Sequence, residues 1–311
     1  MQANKKERAE AIQRLRLRYE LDVLLELDGM ARSTFYYNLS AISKGDPDEA
    51  LKERIRKLYH KHKGRYGYRR ITLCLKSEGL SINHKKVERI MKELGLKAVV
   101  RVVKYRSYKG EIGKVAPNLL ERDFKAEQPF KKLATDITQV KIGDIKTYIS
   151  PILDMYNGEI ITCDVSDSPN LDQMERMLRN LFRIGGDHLE GAILHSDQGW
   201  QYQHVNFQKA LEKHQMKQSM SRKGNCLDNA MMESFFGAMK SELLYLEKFD
   251  SMVQFKTALK EYIRYYNNDR IKLRLKMSPV EYRLTHQSSF NIPSNFRGAH
   301  HFGLAERMRL R

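Results

Sequence analysis

The ordering of apolar segments between residues 131 and 220 leaves few architectures open to this chain. "LATDITQVKI" and "IKTYISPILDM" read as strands separated by a turn at Gly143–Asp144, and "GEIITCDVSD" reads as a third. Each is a short run rich in apolar and β-branched residues, bounded by turn formers. A helix is predicted at about 170–184, a fourth strand in "AILHSD", a helix near 203–214, a short strand in "KQSMS", and long helices near 227–246 and 251–268. Three strands in succession, then strands alternating with helices, predict an α/β class with a mixed sheet.

Upstream the pattern is helical. Residues 5–28 read as one helix with Leu15, Leu17, Leu21, Leu24, Leu25 and Leu27 as its apolar positions, and 30–40 as a second, short one. After a linker at 43–49, three helices are expected at about 48–62, 68–78 and 83–94, the last capped by Asn83. That last helix turns Val87, Ile90 and Met91 inward and Lys85, Lys86, Arg89 and Lys92 outward. Helix, glycine-containing turn and basic helix outline a helix-turn-helix module. Residues 101–130 read as an extended basic linker.

The charge distribution fits this module. The chain carries 56 Lys and Arg against 38 Asp and Glu, a net charge of +18, yet residues 51–125 alone hold 22 basic and 7 acidic residues. An excess concentrated in 75 residues points to a polyanionic partner, nucleic acid first. Arg65, Tyr66, Tyr68, Arg69 and Arg70 in "KGRYGYRRI", with Lys85, Lys86 and Arg89, are the candidate DNA contacts; the plainer reading is a solvated helical face with core tyrosines. Cys74, Cys163 and Cys226 are far apart and outside any CxxC pair, which fits a reduced, cytoplasmic setting. The N-terminal stretch lacks the apolar core of a signal peptide, and no window approaches the ~18 uncharged apolar residues of a membrane span.

Two carboxylates stand out within the α/β segment. Asp136 lies inside a strand pattern that otherwise reads as buried, where a charge is expensive unless paired or metal-bound. Asp197 ends the fourth strand in "HSDQGWQY"; alone it reads equally well as a capped turn. The later helix "LDNAMMESFFGAMKSELL" buries Met232, Phe235, Phe236, Met239 and Leu243 and places Asn229, Glu233 and Lys240 on another face. Asp136, Asp197 and Glu233 together would offer hard oxygen ligands suited to Mg²⁺ or Mn²⁺. The competing reading is three unrelated acidic groups.

The order and spacing resemble the DDE transposases with a retroviral-integrase-like core, in particular the second-frame product of IS-three family insertion sequences. The resemblance rests on "TDIT", on "HSDQGWQY", on 35 residues between Asp197 and Glu233, and on Lys240 seven positions after Glu233. It continues through "YYNNDRIKLRLKMSPVEYR" at 265–283 and "HKGRYGYRRI" upstream, and covers roughly residues 30–285. It departs at Leu133, where the family usually has Trp, and in the tail after Arg283.

The resemblance implies an RNase H-like catalytic core preceded by an all-α helix-turn-helix DNA-binding region. It implies two Mg²⁺ ions, replaceable by Mn²⁺, on Asp136, Asp197 and Glu233, and DNA or supporting contacts from Asn229 and Lys240. The expected partners are double-stranded DNA at element ends and target, a second copy or more, and a first-frame transposase product, in a bacterial cytoplasm at the nucleoid. The expected division is an N-terminal helical segment (1–45), a DNA-binding domain (46–100), a linker (101–130), a catalytic core (131–250), a C-terminal helical segment (251–285) and a divergent tail (286–311). The alternatives are a catalytically impaired regulator that only binds DNA, and a simple RNase H-like nuclease. Asp154, Asp164 and Asp167 read as structural strand-end residues, Asp228 as a helix cap, and His195 as either an orienting partner of Asp197 or a packed strand-end residue.

Overall fold

The computed structural model describes residues 4–43, 45–98, 116–222 and 226–286. The expectations for the tail from residue 287 and for the linker at 101–115 lie outside the described residues. The chain divides into two compact units, Met1–Lys97 and Ala98–Arg311.

The first unit is all helical: α1 (Lys5–Leu15), α2 (Leu21–Asp28), α3 (Arg32–Ser43), α4 (Glu49–Lys61), α5 (Tyr68–Ser77) and α6 (His84–Glu93). The single helix expected over 5–28 is two. Asn4 and Glu7 form a capping box on α1, and the chain breaks after Leu15. The core here uses Ala9, Ile12, Leu21, Leu24, Leu25, Met30 and Phe35. Leu17 and Leu27, assigned to the buried face by periodicity, are 89% and 81% exposed. The helix-turn-helix portion follows the prediction. The Asn83 side chain accepts from the Lys85 N–H, and Val87, Ile90 and Met91 are buried.

The second unit is a three-layer α/β body. Its sheet contains β1 (Lys132–Thr135), β2 (Thr138–Ile142), β3 (Ile145–Asp154), β4 (Ile160–Ser166), β5 (Ile193–Ser196) and β6 (Lys217–Met220). The helices are α7 (Leu171–Gly185), α8 (Trp200–Gln203), α9 (Val205–Lys213), α10 (Ala230–Met239), α11 (Met252–Asn268) and α12 (Pro279–Thr285). β2, β3 and β4 form antiparallel pairs; β1 is antiparallel to β3 but parallel to β5, and β5 is parallel to β6. Strand alternation sends neighbouring residues to opposite faces. Leu133, Ile152 and Ile161 pack with α7 and α9, whereas Ala134, Leu153 and Ile160 pack with α10 and α11. Leu133 is fully buried in the first of these layers.

Part of the expected linker belongs to this body. Leu120 and Phe130 are core residues. The Pro117 carbonyl accepts from the Met220 N–H (3.2 Å), and the Leu119 N–H donates to Ser219 Oγ (2.9 Å), so the segment lies along the β6 edge. Asp154 is structural, as expected: its carboxylate accepts from the N–H groups of Phe130 (2.8 Å) and Tyr156 (2.9 Å), and burial pushes its pKa up to about 7. Asp164 pairs with Arg176 at 2.8 Å.

Candidate active site

The strand predicted through "LATDITQVKI" is broken at Asp136–Ile137, and the break has a cause across the sheet. β2 pairs with the first half of β3 and β1 with its end, on the same side of that long strand. Opposite the gap sits Pro151, which has no N–H to offer a ladder. Thr135 Oγ1 donates to the Pro151 carbonyl instead (2.9 Å). The Asp136 side chain turns back on its own backbone, Oδ1 accepting from the Ile137 N–H at 2.7 Å. Asp136 therefore sits just beyond β1, not within a strand as the pattern suggested.

Asp197 arrives beside it by register. Ala134 of β1 pairs with His195 of the parallel β5, so the residues two further along, Asp136 and Asp197, emerge side by side at the carboxyl ends of neighbouring strands. That edge is where open α/β sheets place their ligands. The Gly199 N–H donates to Asp197 Oδ1 (2.9 Å), and a methyl on Gly199 would lie 3.0 Å from the same oxygen. Gly199→Ala is expected to cut any strand-cleaving activity about 10- to 100-fold through displacement of this carboxylate, with little change in thermal midpoint. Parental activity in the folded variant would show that the close approach does not matter.

Glu233 and Lys240 come from the opposing helix. Met232, Phe235, Phe236 and Met239 anchor α10 in the core as predicted. The helix expected over 227–246 is in three parts: a 3₁₀ turn at Cys226–Asn229, α10, and a π turn at Lys240–Leu244. The charges of both Glu233 and Lys240 reach Asp136, Glu233 opposing ionisation of its carboxyl and Lys240 favouring it. Lys240 also lines a groove of about 600 Å³ between β2 and the 244–250 segment.

Burial first, and the Asp197 charge second, push the Asp136 carboxyl well above the ordinary carboxylate range; burial likewise raises Asp197. Among the described residues, no three His, Cys, Asp or Glu side chains are spaced to hold a metal ion. The donor chemistry nevertheless fits a hard dication. A buried carboxylate, Asp136, and a half-buried one, Asp197, repel each other, each with Oδ1 taken by a backbone N–H and Oδ2 outside those bonds. A cation would replace the protons that burial favours.

The sign of the pH dependence follows. Carboxyls whose folded pKa is raised contribute stability that is present below about pH 4 and lost as pH rises through the raised value. The metal-free chain is expected to lose stability as pH rises from about 4 through the raised values, of which Asp154 lies at about 7, and Mg²⁺ to raise the thermal midpoint more at pH 8 than at pH 5. Because Asp154 adds to the metal-free slope, the diagnostic quantity is the Mg²⁺-induced shift, measured by calorimetry with and without Asp136→Asn. An equal shift in parent and variant would dissociate the metal from this pair.

Family comparisons agree with this layout. An HTH-like domain model matches residues 46–104, and integrase core domain models match 126–226 and 233–286. The putative transposase InsK for insertion sequence element IS150 of Escherichia coli (strain K12) is 51% identical over 270 residues, 86% of this chain and 95% of that protein. The transposase InsF for insertion sequence IS3A of the same organism is 32% identical over 210 residues, 66% of this chain and 71% of that protein. This chain belongs to the IS-three family of insertion-sequence transposases. Among solved structures, the HTLV-2 integrase catalytic core domain in complex with magnesium matches 50% of the chain and 97% of that protein, at 14% identity and a TM-score of 0.39.

In this transposase the candidate DNA contacts of the helical unit divide sharply. Tyr66 is fully buried and stacks on His62 with ring centroids 3.8 Å apart, and Arg65 is buried too, so both are core residues and not phosphate contacts. Lys86 and Arg89 reach back to Asp48 at 2.7 and 2.6 Å, and Arg89 also pairs with Glu93, so α6 spends part of its charge bracing α4. Arg69 and Lys85 are exposed; Tyr68 and Arg70 are half-buried, with Arg69 lying over the Tyr68 ring.

The supporting residues of the transposase core also need correction. His195 is fully buried with Nδ1 2.8 Å from Ser219 Oγ, and burial lowers its pKa to about 4; it is a packed strand residue and does not orient Asp197. Asp228 does not cap α10. Its carboxylate holds Arg222 through the guanidinium and the backbone N–H, and also binds Asn118 and Arg122. These partners, Arg222 first, hold its pKa below the usual carboxylate range. Asn229 is buried at the N-cap of α10, with no side-chain capping bond and no partner for Oδ1.

Three supports were missed from sequence. Tyr202 is buried near both aspartates, whose charges add to burial in raising its pKa. Asn267 pins α11 to β4 by exchanging two 2.9 Å bonds with the Ile160 backbone. Arg270 reaches the buried Glu242 of the π turn. The "YYNND R" spacing was the available signal for the last two, but it names no partner.

Among the described residues, no helix is long and apolar enough to cross a membrane.

Proposed function

We propose that this chain cuts and joins DNA strands at the ends of its insertion sequence, with Asp136, Asp197 and Glu233 as the catalytic carboxylates. The observation that carries the reading is the emergence of Asp136 and Asp197 side by side at the ends of parallel β1 and β5, within charge reach of Glu233 and Lys240. The three carboxylates, which are not spaced for a shared ion as they stand, would have to draw together to hold two Mg²⁺ ions, with Mn²⁺ able to substitute. Bound there, the ions would activate a hydroxyl and stabilise the leaving oxygen of an in-line displacement. In the first step a water oxygen attacks the phosphodiester at the element end and a 3′-hydroxyl leaves. In the second that hydroxyl attacks a target phosphodiester, its proton is lost, and the target's own 3′-oxygen leaves. Asp136 and Asp197 orient the acceptor side of this exchange from a rigid sheet edge. Lys240 supplies a fixed positive charge to a strand phosphate.

Residues 46–100 serve as the DNA-binding domain, 131–250 as the catalytic core and 251–285 as its C-terminal support. A complex joining two element ends calls for at least two copies of the chain, with a first-frame product as a further partner. The work is done in the cytoplasm, on the nucleoid. The test is incubation of the purified chain with labelled end DNA and Mg²⁺, scoring nicked and joined products; binding without either product would favour a DNA-binding regulator. Arg69→Ala with Lys85→Ala is expected to weaken duplex binding similarly across sequences and to reduce the slope of log K against log salt by about 2. An unchanged slope would move the DNA surface elsewhere.

A further inference from the structure

We propose that Arg270 is a positioning residue for Glu233, an inference that rests on Glu233 being a catalytic carboxylate. The π turn after α10 is closed by the Tyr245 N–H donating to the Lys240 carbonyl at 2.9 Å. It buries three consecutive residues, Ser241, Glu242 and Leu243, which an amphipathic α-helical face does not do. Leu243 continues the apolar stripe. Ser241 Oγ donates to the Gly237 carbonyl (2.8 Å), part of the local rearrangement. Glu242 is the residue that needs a reason to be inside.

The reason is Arg270. Its Nε and Nη2 bind the two Glu242 oxygens at 2.6–3.0 Å, and Tyr262 OH donates to the same carboxylate at 3.2 Å. The guanidinium also lies 5.2 Å from the centre of the Tyr266 ring, which packs edge-on against Phe235 at 5.0 Å. Arg270 therefore touches the Glu233 helix from two sides: directly at Glu242, and through Tyr266 at Phe235, two residues beyond Glu233.

A π turn is a rare departure from α geometry, and such turns recur at functional sites. Moving it one turn earlier would rotate Lys240 relative to Glu233 and detune both against Asp136. The Arg270–Glu242 pair holds the turn after Lys240.

The test uses the full-length chain. The paired replacement Glu242→Met with Arg270→Met removes both charges, and a thermal midpoint near the parent's is expected. Cleavage of end DNA by this variant is expected to fall about 10- to 100-fold, and Mn²⁺ affinity by titration calorimetry about 10-fold, as for other residues that orient ligands indirectly. A folded double variant with parental cleavage and Mn²⁺ affinity would overturn the proposal. If it does not fold, Arg270→Lys decides, since it keeps the charge but loses the fork: a loss of about fivefold or more is expected, and the parental rate would overturn the proposal. Parental cleavage in Asp136→Asn would instead count against the carboxylate reading itself.

Discussion

Asp136→Asn, Asp197→Asn and Glu233→Gln are each expected to lower strand cleavage by at least about 10³-fold while end binding stays within about twofold. The size follows from the several kcal/mol that bound metal contributes to transition-state stabilisation, at about 1.4 kcal/mol per tenfold. Binding is spared because the charge excess lies in residues 51–125, outside the carboxylate-bearing segment. The same variants carry a second expectation of opposite sign. Burial and mutual repulsion disfavour the ionised aspartates, so Asp136→Asn without metal should be more stable than the parent at pH 8. Cleavage and gel-shift assays on the three variants, with thermal scans, check both. A variant that cleaves at the parental rate is not a member of the catalytic set.

Arg283→Met is expected to destabilise the α/β unit by about 3–5 kcal/mol. Arg283 in α12 and Glu159 before β4 are 2% and 1% exposed, with Nε 2.9 Å from Oε2. The Asn157 amide bridges the same carboxylate (3.2 Å) to the Pro279 carbonyl (2.9 Å). Removing the arginine strands a buried carboxylate in the centre of this clasp. At about 2–4 °C per kcal/mol for a body of this size, the midpoint should fall by about 10 °C. Glu159→Met added to Arg283→Met should recover most of it, because two apolar side chains of similar volume leave no unpaired charge. Scanning calorimetry of the single and double variants follows the unfolding of this unit. A loss under about 1 kcal/mol for the single variant would mean that the pair is not what holds α12.

Local periodicity was enough for much of this architecture. The α6 stripe of Val87, Ile90 and Met91, the Asn83 cap, the apolar face of α10 and most of the sheet strands could be read within windows of one or two turns, where side-chain direction repeats with the backbone. The carboxylate spacing could be read too, as could the charge concentrated in residues 51–125. What windows of that size do not contain is the partner across the fold. Pro151 decides that the first strand stops before Asp136, and register with β5 brings Asp197 alongside. Tyr66 looked like a phosphate contact until His62 and the helix core enclosed it. Glu242 falls within the helix expected over 227–246, and nothing near it in sequence names Arg270, 28 positions on, as the partner it meets inside a π turn. Glu159 and Arg283 are 124 positions apart. Sequence alone determined roughly where helices and strands lie, though not where they break, and which residue types carry the chemistry, because those depend on near neighbours. Tertiary structure alone decided which charges are buried, which are spent on bracing, and which two carboxylates stand together, because those depend on contacts that form only when the chain closes on itself.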